Sequence, residues 1–294
     1  MSANGGRRGR VAVKASAWAW RFVVAGFVVI IGVPIAVMLG VSLESLNQVE
    51  NGSVATRHPL WSNYVSAWNS VGLPAFLMHS IIVALSCVAL VLFVAVGMSY
   101  LLARFRFRFR STLALGILIS QLIPGVTVLL PIYVLYADLQ TVLHVQLIGN
   151  FTGLILVDAA TAVPLAVWLL ISQFEAVPRE IDEAAVVDGA THTKALFYVL
   201  IPAILPGIAV VAIFSFLAAW NDVLFASVLT SDSTRTVAVG LQEYVVSATA
   251  GGGGAVLWNE LMAAALMSAL PAVVFFFVAQ RYVVSGLTAG AVRG

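Results

Sequence analysis

The sequence predicts an all-α integral membrane protein with six transmembrane helices and a structured cytoplasmic loop between helices four and five. Hydrophobic residues make up 61% of the 294 residues and charged residues only 10%, whereas soluble domains carry about 25% charged residues. The apolar residues are gathered in six runs, each near the ~20 residues that a helix needs to cross a bilayer. Lysines and arginines are concentrated between alternate runs, which is the pattern that orients membrane proteins.

The six apolar runs are the candidate spans. They cover residues 22–41, 80–103, 111–137, 149–172, 203–229 and 260–280. The first run is longer than the about 7–15 apolar residues of a signal peptide, so it is predicted to be a retained helix. The chain is thereby divided into a basic tail at 1–21, a membrane domain at 22–281 and a short tail at 282–294.

Positive charges orient these spans. If the spans alternate in direction, thirteen basic residues fall on one side, namely Arg7, Arg8, Arg10, Lys14, Arg21, Arg104, Arg106, Arg108, Arg110, Arg179, Lys194, Arg281 and Arg293. Only Arg57 and Arg235 fall on the other side. Because cytoplasmic loops retain positive charge, both termini and the loop 174–201 are predicted to be cytoplasmic. The segments 42–79, 138–148 and 230–259 then face outward, and the last contains the flexible stretch AGGGGA, 250–255.

Prolines interrupt four of the spans. They are Pro124 and Pro131 in the third, Pro164 in the fourth, Pro206 in the fifth and Pro271 in the sixth. Each removes a backbone N–H donor and bends its helix, which a bundle tolerates where a neighbour or a cavity satisfies the freed carbonyl. Bent helices fit a pathway through a bundle, although proline is also ordinary in membrane helices.

Motifs for catalysis and metal binding are missing from the sequence. Neither lysine, Lys14 or Lys194, lies in a Walker A motif, so the chain is not expected to hydrolyse ATP by itself. The four histidines lack the spacing and the cysteine neighbours of a metal site. No nucleophile motif or paired acids in one loop indicate an enzyme. The single cysteine, Cys87, excludes an intrachain disulfide.

An alternating segment, RFRFRFR at 104–110, separates the second and third spans. Basic residues interleaved with aromatic ones can bind nucleic acid, but seven residues leave no room for a groove. We favour arginines at the phosphate headgroups and phenylalanines at the interface, where they fix the topology.

Polar residues inside the spans mark a possible solute pathway. Asp158 lies well within the fourth span, where a charge costs about 2.5–3.5 kcal/mol on insertion scales, so that such a residue usually faces a cavity or a partner. The alternative is a structural hydrogen bond to a neighbouring helix. Asn221 and Asp222, near the outer end of the fifth span, pose the same choice. Trp220 beside them offers either a face on which a sugar can stack or an interface anchor.

The loop between spans four and five has the pattern of two short helices. Pro178 suits a first helical turn, and the acidic residues that follow it suit a helix N-terminus. Gly189 can end the first helix with positive φ, and Thr191 can cap the second. The loop presents small and apolar residues to the cytoplasm, which indicates a docked partner.

This loop closely resembles the "EAA…DGA…F…P…P" loop of permease subunits of bacterial ABC importers. The matching residues are Glu183, Ala184, Ala185, Asp188, Gly189, Ala190, Phe197, Pro202 and Pro206. Three further stretches resemble the carbohydrate-uptake branch of these permeases, the smaller maltose-permease-like subunit: LIPGVTVLLPIYVLYADL at 122–139, AAWNDVLFA at 218–226 and the ending RYVVSGLTAGAVRG. Asp158 departs from the family pattern.

The resemblance implies a non-catalytic inner-membrane permease subunit that carries a sugar or a sugar-like solute. It also implies a second homologous permease, an extracytoplasmic solute-binding protein and two ATPase subunits that bind the ATP and magnesium. The EAA-type residues up to Pro202 would contact the ATPases, and Asp158, Trp220, Asn221 and Asp222 are the candidate pathway residues. Two alternatives stay open: a secondary transporter driven by protons through Asp158, and an intramembrane enzyme, for which we find no nucleophile or metal cluster.

Overall fold

The computed structural model describes residues 5–54, 58–70, 72–250 and 256–291, with side chains described at 20–54, 58–69, 72–246 and 256–283. These residues form α-helices joined by short turns and contain no β-strand. Some residues used in the sequence analysis lie outside this description. They are residues 251–255 of the glycine-rich stretch and six basic side chains that were counted in predicting the topology: Arg7, Arg8, Arg10, Lys14, Arg57 and Arg293.

Fourteen α-helices follow one another in the described residues. They are α1 (Gly5–Ser42), α2 (Leu46–Glu50), α3 (Ser62–Ser70), α4 (Leu73–Arg104), α5 (Arg110–Ser120), α6 (Gly125–Leu143), α7 (Phe151–Ala176), α8 (Arg179–Val187), α9 (His192–Ala195), α10 (Ile201–Ala203), α11 (Leu205–Trp220), α12 (Ala226–Leu229), α13 (Val237–Ala250) and α14 (Trp258–Ala291). A π-helical turn, Leu196–Leu200, joins α9 to α10.

Five of the described helices are long and apolar enough to cross a membrane. The spanning parts are Trp20–Ser42 of α1, all of α4, α6 and α7, and Trp258–Val283 of α14. The segments His192–Ala203 and Leu205–Trp220 pass the same test together, meet at 79°, and make a sixth span if they are counted as one. The predicted all-α membrane fold is thereby confirmed.

The third predicted span, 111–137, differs from the helices observed there. The helix breaks between Ser120 and Gly125, with Pro124 in extended backbone directly before α6. Because proline has no N–H and its ring crowds the preceding turn, the chain leaves the helix before Pro124 and starts a new one after it. The crossing helix is therefore α6, while the 11 residues of α5 form a shorter apolar helix that packs against α7.

The fifth predicted span, 203–229, is also shorter than expected. Helix α11 ends at Trp220, and Pro206 lies in its first turn, where a missing N–H breaks no intrahelical hydrogen bond. Pro206 therefore starts a helix rather than kinking one. By contrast Pro131, Pro164 and Pro271 lie inside α6, α7 and α14 as predicted.

The chain forms two compact units, one of residues 1–68 and 255–267 and the other of residues 69–254 and 268–294. In the first unit a polar turn follows α1, where the Asn63 side chain donates to the carbonyls of Ser42 and Glu44 at 2.9 and 2.8 Å. The second unit contains the predicted loop and the predicted pathway residues. Both candidate sites therefore belong to one unit.

Helices α4, α7 and α11 make the core of the second unit. Buried side chains from the three helices include Val91, Leu170 and Val211. The Ser99 hydroxyl of α4 donates to the carbonyl of Val167 in α7 at 3.0 Å, so a polar group inside the bundle is satisfied by a neighbouring helix. Outward-facing side chains such as Phe93, which is 81% exposed, are apolar, as expected of a surface that meets lipid.

Candidate functional site

The loop 174–201, which we call the coupling loop, contains α8, α9 and the π-helical turn. Helix α8 begins directly after Pro178, whose ψ of 139° is not helical, so that this residue stands one position before the first turn predicted for it. Glu180 and Asp182 occupy the first turn, where the positive end of the helix dipole favours carboxylates. The local sequence is therefore consistent with a helix that starts at this point.

Gly189 ends α8 as predicted. Its φ is +88°, and two hydrogen bonds close the helix end: Gly189 N–H donates to the Val186 carbonyl and Ala190 N–H to the Ala185 carbonyl, both at 3.0 Å. This is the Schellman arrangement, which needs a residue that tolerates left-handed backbone. No atom lies within 4 Å of the position that a Cβ would take, so only the backbone conformation selects glycine here.

The second half of the coupling loop starts at Thr191, whose hydroxyl accepts a hydrogen bond from Lys194 N–H at 3.3 Å. The predicted N-cap is thus present. The helix widens into the π-helical turn directly before Pro202, which has no N–H to offer the carbonyl of Tyr198. Turns of this type recur at functional sites.

The structure leaves most of the predicted contact residues of this loop uncovered. Exposed residues among them are Glu183, Ala184, Asp188, Gly189, Phe197 and Pro202, while Ala185 and Ala190 are half-buried. Two residues that the sequence analysis did not select are more exposed than Phe197: Val187 at 86% and Tyr198 at 79%. Exposed apolar or small side chains gathered in one short loop make a surface suited to a protein partner.

A buried arginine joins the coupling loop to the end of α4. The Arg104 side chain is 7% exposed, and its Nε lies 2.6 Å from Oδ2 of Asp182 in α8. That contact is an ion pair whose angle falls outside hydrogen-bond geometry, whereas Nη2 donates to Oδ1 of Asp182 at 3.4 Å and to the Val177 carbonyl at 2.9 Å. One guanidinium therefore holds both the start of α8 and the chain before it.

A second arginine joins the same two segments in the opposite direction. Arg179 of α8 donates from Nη2 to the Ala103 carbonyl at 3.1 Å, which is one of the carbonyls that a helix C-terminus leaves without an intrahelical partner. Burial raises the pKa of the Asp182 carboxyl above its usual range, and the charge and hydrogen bond of Arg104 counteract part of that rise. We call Arg104, Arg179 and Asp182 the arginine clamp.

Sequence reasoning missed this clamp. It assigned all four arginines of the RFRFRFR segment to lipid headgroups. That prediction is wrong for Arg104 and consistent with the exposure of Arg106 and Arg108, while Arg110 pairs with Glu175 at 3.1 Å. A usable signal was present, since an acid-rich helix start and an arginine-rich span end were predicted on the same side. The alternating RFRFRFR pattern could not indicate which of its arginines is buried.

A cavity of about 660 Å³ lies among α5, α6, α7 and the chain that follows α11. Its lining includes two of the predicted pathway residues, Asp158 and Asp222. No lysine, arginine or histidine is among the described residues that line it. We call it the acidic cavity.

Asp158 enters this cavity from α7. The residue is 5% exposed, and its Oδ2 is buried without a hydrogen-bond partner among the described residues. The predicted alternative, a structural hydrogen bond to a neighbouring helix, is therefore not made by this oxygen. A buried carboxylate oxygen without a partner is costly, which is typical of a group that functions with a ligand or water.

Asp222 enters the same cavity from the turn after α11. Its two carboxylate oxygens accept from the backbone N–H groups of Phe225 and Ala226, at 3.2 and 2.8 Å. These bonds order the turn that leads into α12 and aim the carboxylate. The structure thus brings together two acids that are 64 positions apart in the sequence.

The other two predicted pathway residues do not line the acidic cavity. Trp220 is 6% exposed and its ring stacks on Phe216 with centroids 5.4 Å apart. Asn221 is exposed, and its side-chain N–H₂ group donates to the Leu217 carbonyl at 2.8 Å. A pathway role for Trp220 and Asn221 stays a prediction.

Spanning helices, an exposed two-helix loop at one end and a cavity with polar groups between the spans define a membrane transport permease. The model of the family described as "Binding-protein-dependent transport system inner membrane component" matches residues 95–289, which include both the coupling loop and the acidic cavity. The chain belongs to this family.

Individual relatives of the chain are also transport permeases. The chain is 38% identical to the maltose/maltodextrin transport system permease protein MalG of Escherichia coli over 229 residues, 77% of this chain and 71% of the relative. It is 33% identical to the sulfoquinovosyl glycerol transport system permease protein SmoH of Agrobacterium fabrum over 80% of this chain and 79% of the relative. A putative ABC transporter permease of Streptomyces antibioticus is 35% identical over 81% of this chain and 99% of the relative.

A solved structure shares the fold. It is a bacterial ABC transporter involved in the import of the acidic polysaccharide alginate, whose matching chain superposes with a TM-score of 0.75 at 21% identity, covering 96% of this chain and 99% of that chain. The protein is therefore a permease subunit of a binding-protein-dependent importer. Membership of this family favours the ABC permease hypothesis over the two alternatives, a proton-driven secondary transporter and an intramembrane enzyme.

Proposed function

We propose that the chain is the smaller permease subunit of an ATP-driven sugar importer and lines half of its translocation pathway. The single observation that carries this proposal is the exposed coupling loop, whose first helix is closed by Gly189 and which belongs to a chain that resembles MalG over most of its length. The sequence predicts that this chain does not hydrolyse ATP by itself, so the energy would come from a partner, and an exposed helical loop is a means of receiving it.

The partners follow from this assignment. A second homologous permease would complete the pathway, two ATPase subunits would bind ATP and magnesium, and an extracytoplasmic binding protein would deliver the sugar. The ATPase contact would consist of Glu183, Ala184, Ala185, Asp188, Gly189, Ala190, Phe197 and Pro202, together with Val187 and Tyr198. Closure of the ATPase pair would move this loop as a lever and rock the spans between outward-open and inward-open states.

The experiment that tests this function is sugar uptake by the reconstituted complex. We expect vesicles that contain this chain, the second permease, the ATPases and the binding protein to take up labelled maltose only when ATP is supplied on the ATPase side. Dissipating the proton gradient should leave the rate unchanged. Uptake by this chain alone, or uptake driven by a proton gradient without ATP, would contradict the proposal and support the secondary-transporter alternative.

We further propose that the chain lies in the bacterial inner membrane with the coupling loop and both tails, 1–21 and 282–294, on the cytoplasmic side. Cysteines placed at Ser111 and Thr193 should then react with an impermeant thiol reagent only from the cytoplasmic face, and one placed at Ser233 only from outside. All three positions are exposed, and the native Cys87 is fully buried, so it serves as an unreactive background. Labelling of position 193 from outside would refute this topology.

A further inference from the structure

The side-chain donors of the acidic cavity are already engaged. Three lining residues carry side-chain donors, and each donates to a backbone carbonyl: Ser120 to Ile117 at 2.7 Å, Gln121 to Thr161 at 3.0 Å and Thr161 to Asp158 at 2.9 Å. The other lining residues, apart from the two acids, are apolar. Of the side-chain donor hydrogens on these described amide and hydroxyl residues, only the second amide hydrogen of Gln121 remains available.

What the cavity does offer is acceptor capacity. Oδ2 of Asp158 has no hydrogen-bond partner in the part of the chain that the structure describes, although the residue is only 5% exposed, and Asp222 adds a second carboxyl group to the same lining. No basic side chain among the described lining residues offsets them. When they are ionised, acid groups in a low-dielectric cleft attract cations and hydrogen-bond donors, and they repel anions more strongly than they would in water.

We propose that the acidic cavity is a solute subsite that accepts hydroxyl-bearing or amine-bearing groups of neutral or positive charge and rejects carboxylates, sulfonates and phosphates, with Asp158 as the acceptor. The inference rests on the proposed function, because it assigns a charge class to the solute of that pathway. It separates this chain from an importer of acidic polysaccharide, although the two share a fold.

The cavity's charge preference can be measured without knowing the solute. Ala160 lines the cavity on α7, is exposed and is close in size to cysteine. We would place Ala160→Cys in a Cys87→Ala background, assemble the complex, and compare the rates of a trimethylammonium-ethyl and a sulfonato-ethyl methanethiosulfonate. Both rates are divided by those measured for N-acetylcysteine, which removes the intrinsic difference between the reagents.

We expect the normalised rate ratio to favour the cationic reagent by about tenfold or more. Asp158→Asn should lower that ratio several-fold, and Asp158→Asn combined with Asp222→Asn should bring it close to one. Glu175→Gln is the control for the loss of an acid from the same helix outside the cavity; it also weakens the solvent-exposed ion pair with Arg110, and it should leave the ratio unchanged. Asp158→Asn should also alter the concentration dependence of maltose uptake while the complex still assembles.

Three results would overturn the inference. These are a ratio near one or in favour of the anionic reagent, a ratio that Asp158→Asn does not change, and a failure of both reagents to react, since a solute path must admit molecules of this size. The outcome is independent of the uptake experiment. Loss of ATP-driven uptake with an intact cation preference would refute the proposed function alone, whereas ATP-driven uptake through a cavity without that preference would refute this inference alone.

Discussion

Replacing Gly189 by valine is expected to uncouple the ATPases from the permease while leaving the spans intact. The φ of +88° at this position is a conformation that a β-branched residue rarely adopts, and strain of this kind costs about 1–3 kcal/mol. A change of that size would alter a docking equilibrium by about 5- to 150-fold. Because nothing lies within 4 Å of the missing Cβ, the loss would come from the backbone and not from a steric clash.

The measurement is the amount of ATPase that co-purifies with the complex and the sugar transported per ATP hydrolysed. Gly189→Asn is the matched control, because asparagine adopts left-handed backbone far more readily than valine. It should retain most of the coupling although it is similar in size. Equal loss in both variants would point to bulk at the docking surface, and wild-type behaviour of both would leave the loop as a simple connector.

Replacing Arg104 by alanine is the second change with a large expected effect. It leaves the partly buried Asp182 carboxylate and the Val177 carbonyl without the donor seen in the structure. Leaving such groups unpaired costs about 1.5–3 kcal/mol, which corresponds to about ten- to hundredfold faster opening of the segment. We expect hydrogen exchange at the amides of α8 to accelerate by this factor, and ATP hydrolysis to yield less transport.

Controls separate the clamp from a general charge effect. Arg106→Ala removes an exposed arginine from the same segment and should have little effect. Arg104→Lys keeps the charge but loses the planar fork, so it should give an intermediate result. Adding Asp182→Ala to Arg104→Ala should partly restore protection, since the unpaired carboxylate is then absent; a strictly additive loss would contradict the clamp.

The clamp also predicts a dependence on pH. Burial raises the pKa of Asp182, and the charge of Arg104 lowers it, so Arg104→Ala should raise that pKa further. As the pH falls and Asp182 becomes protonated, the variant loses its unpaired charge and the wild type loses its ion pair. The difference in hydrogen exchange between the two should therefore be largest near neutral pH and shrink in acid.

Much of the membrane architecture was predictable because it depends on local sequence. Apolar runs of about 20 residues specify spanning helices in a bilayer, and the positions of α1, α4, α7 and α14 follow from them. The breaks were less predictable. Pro124 ended one helix and began another, and Pro206 began one instead of bending it, since the effect of a proline depends on where its helix starts.

The coupling loop was also largely predictable from its residues. Gly189 at the helix end and Thr191 at the next helix start are local capping signals, the first through its left-handed backbone and the second through its hydroxyl group. Their hydrogen bonds join residues only three to five positions apart. Because such hydrogen bonds depend only on neighbouring residues, the local sequence is enough to predict them.

By itself, then, the sequence determined the membrane class, the approximate spans and the coupling loop, because hydrophobic length and capping chemistry act over short stretches of chain. Only the tertiary structure decided which arginine is buried and which acids meet. Arg104 reaches Asp182 across 78 positions, and Asp158 on α7 shares a cavity with Asp222 in the turn after α11. Long-range contacts of this kind depend on how α4, α7 and α11 pack together, and no local pattern specifies that packing.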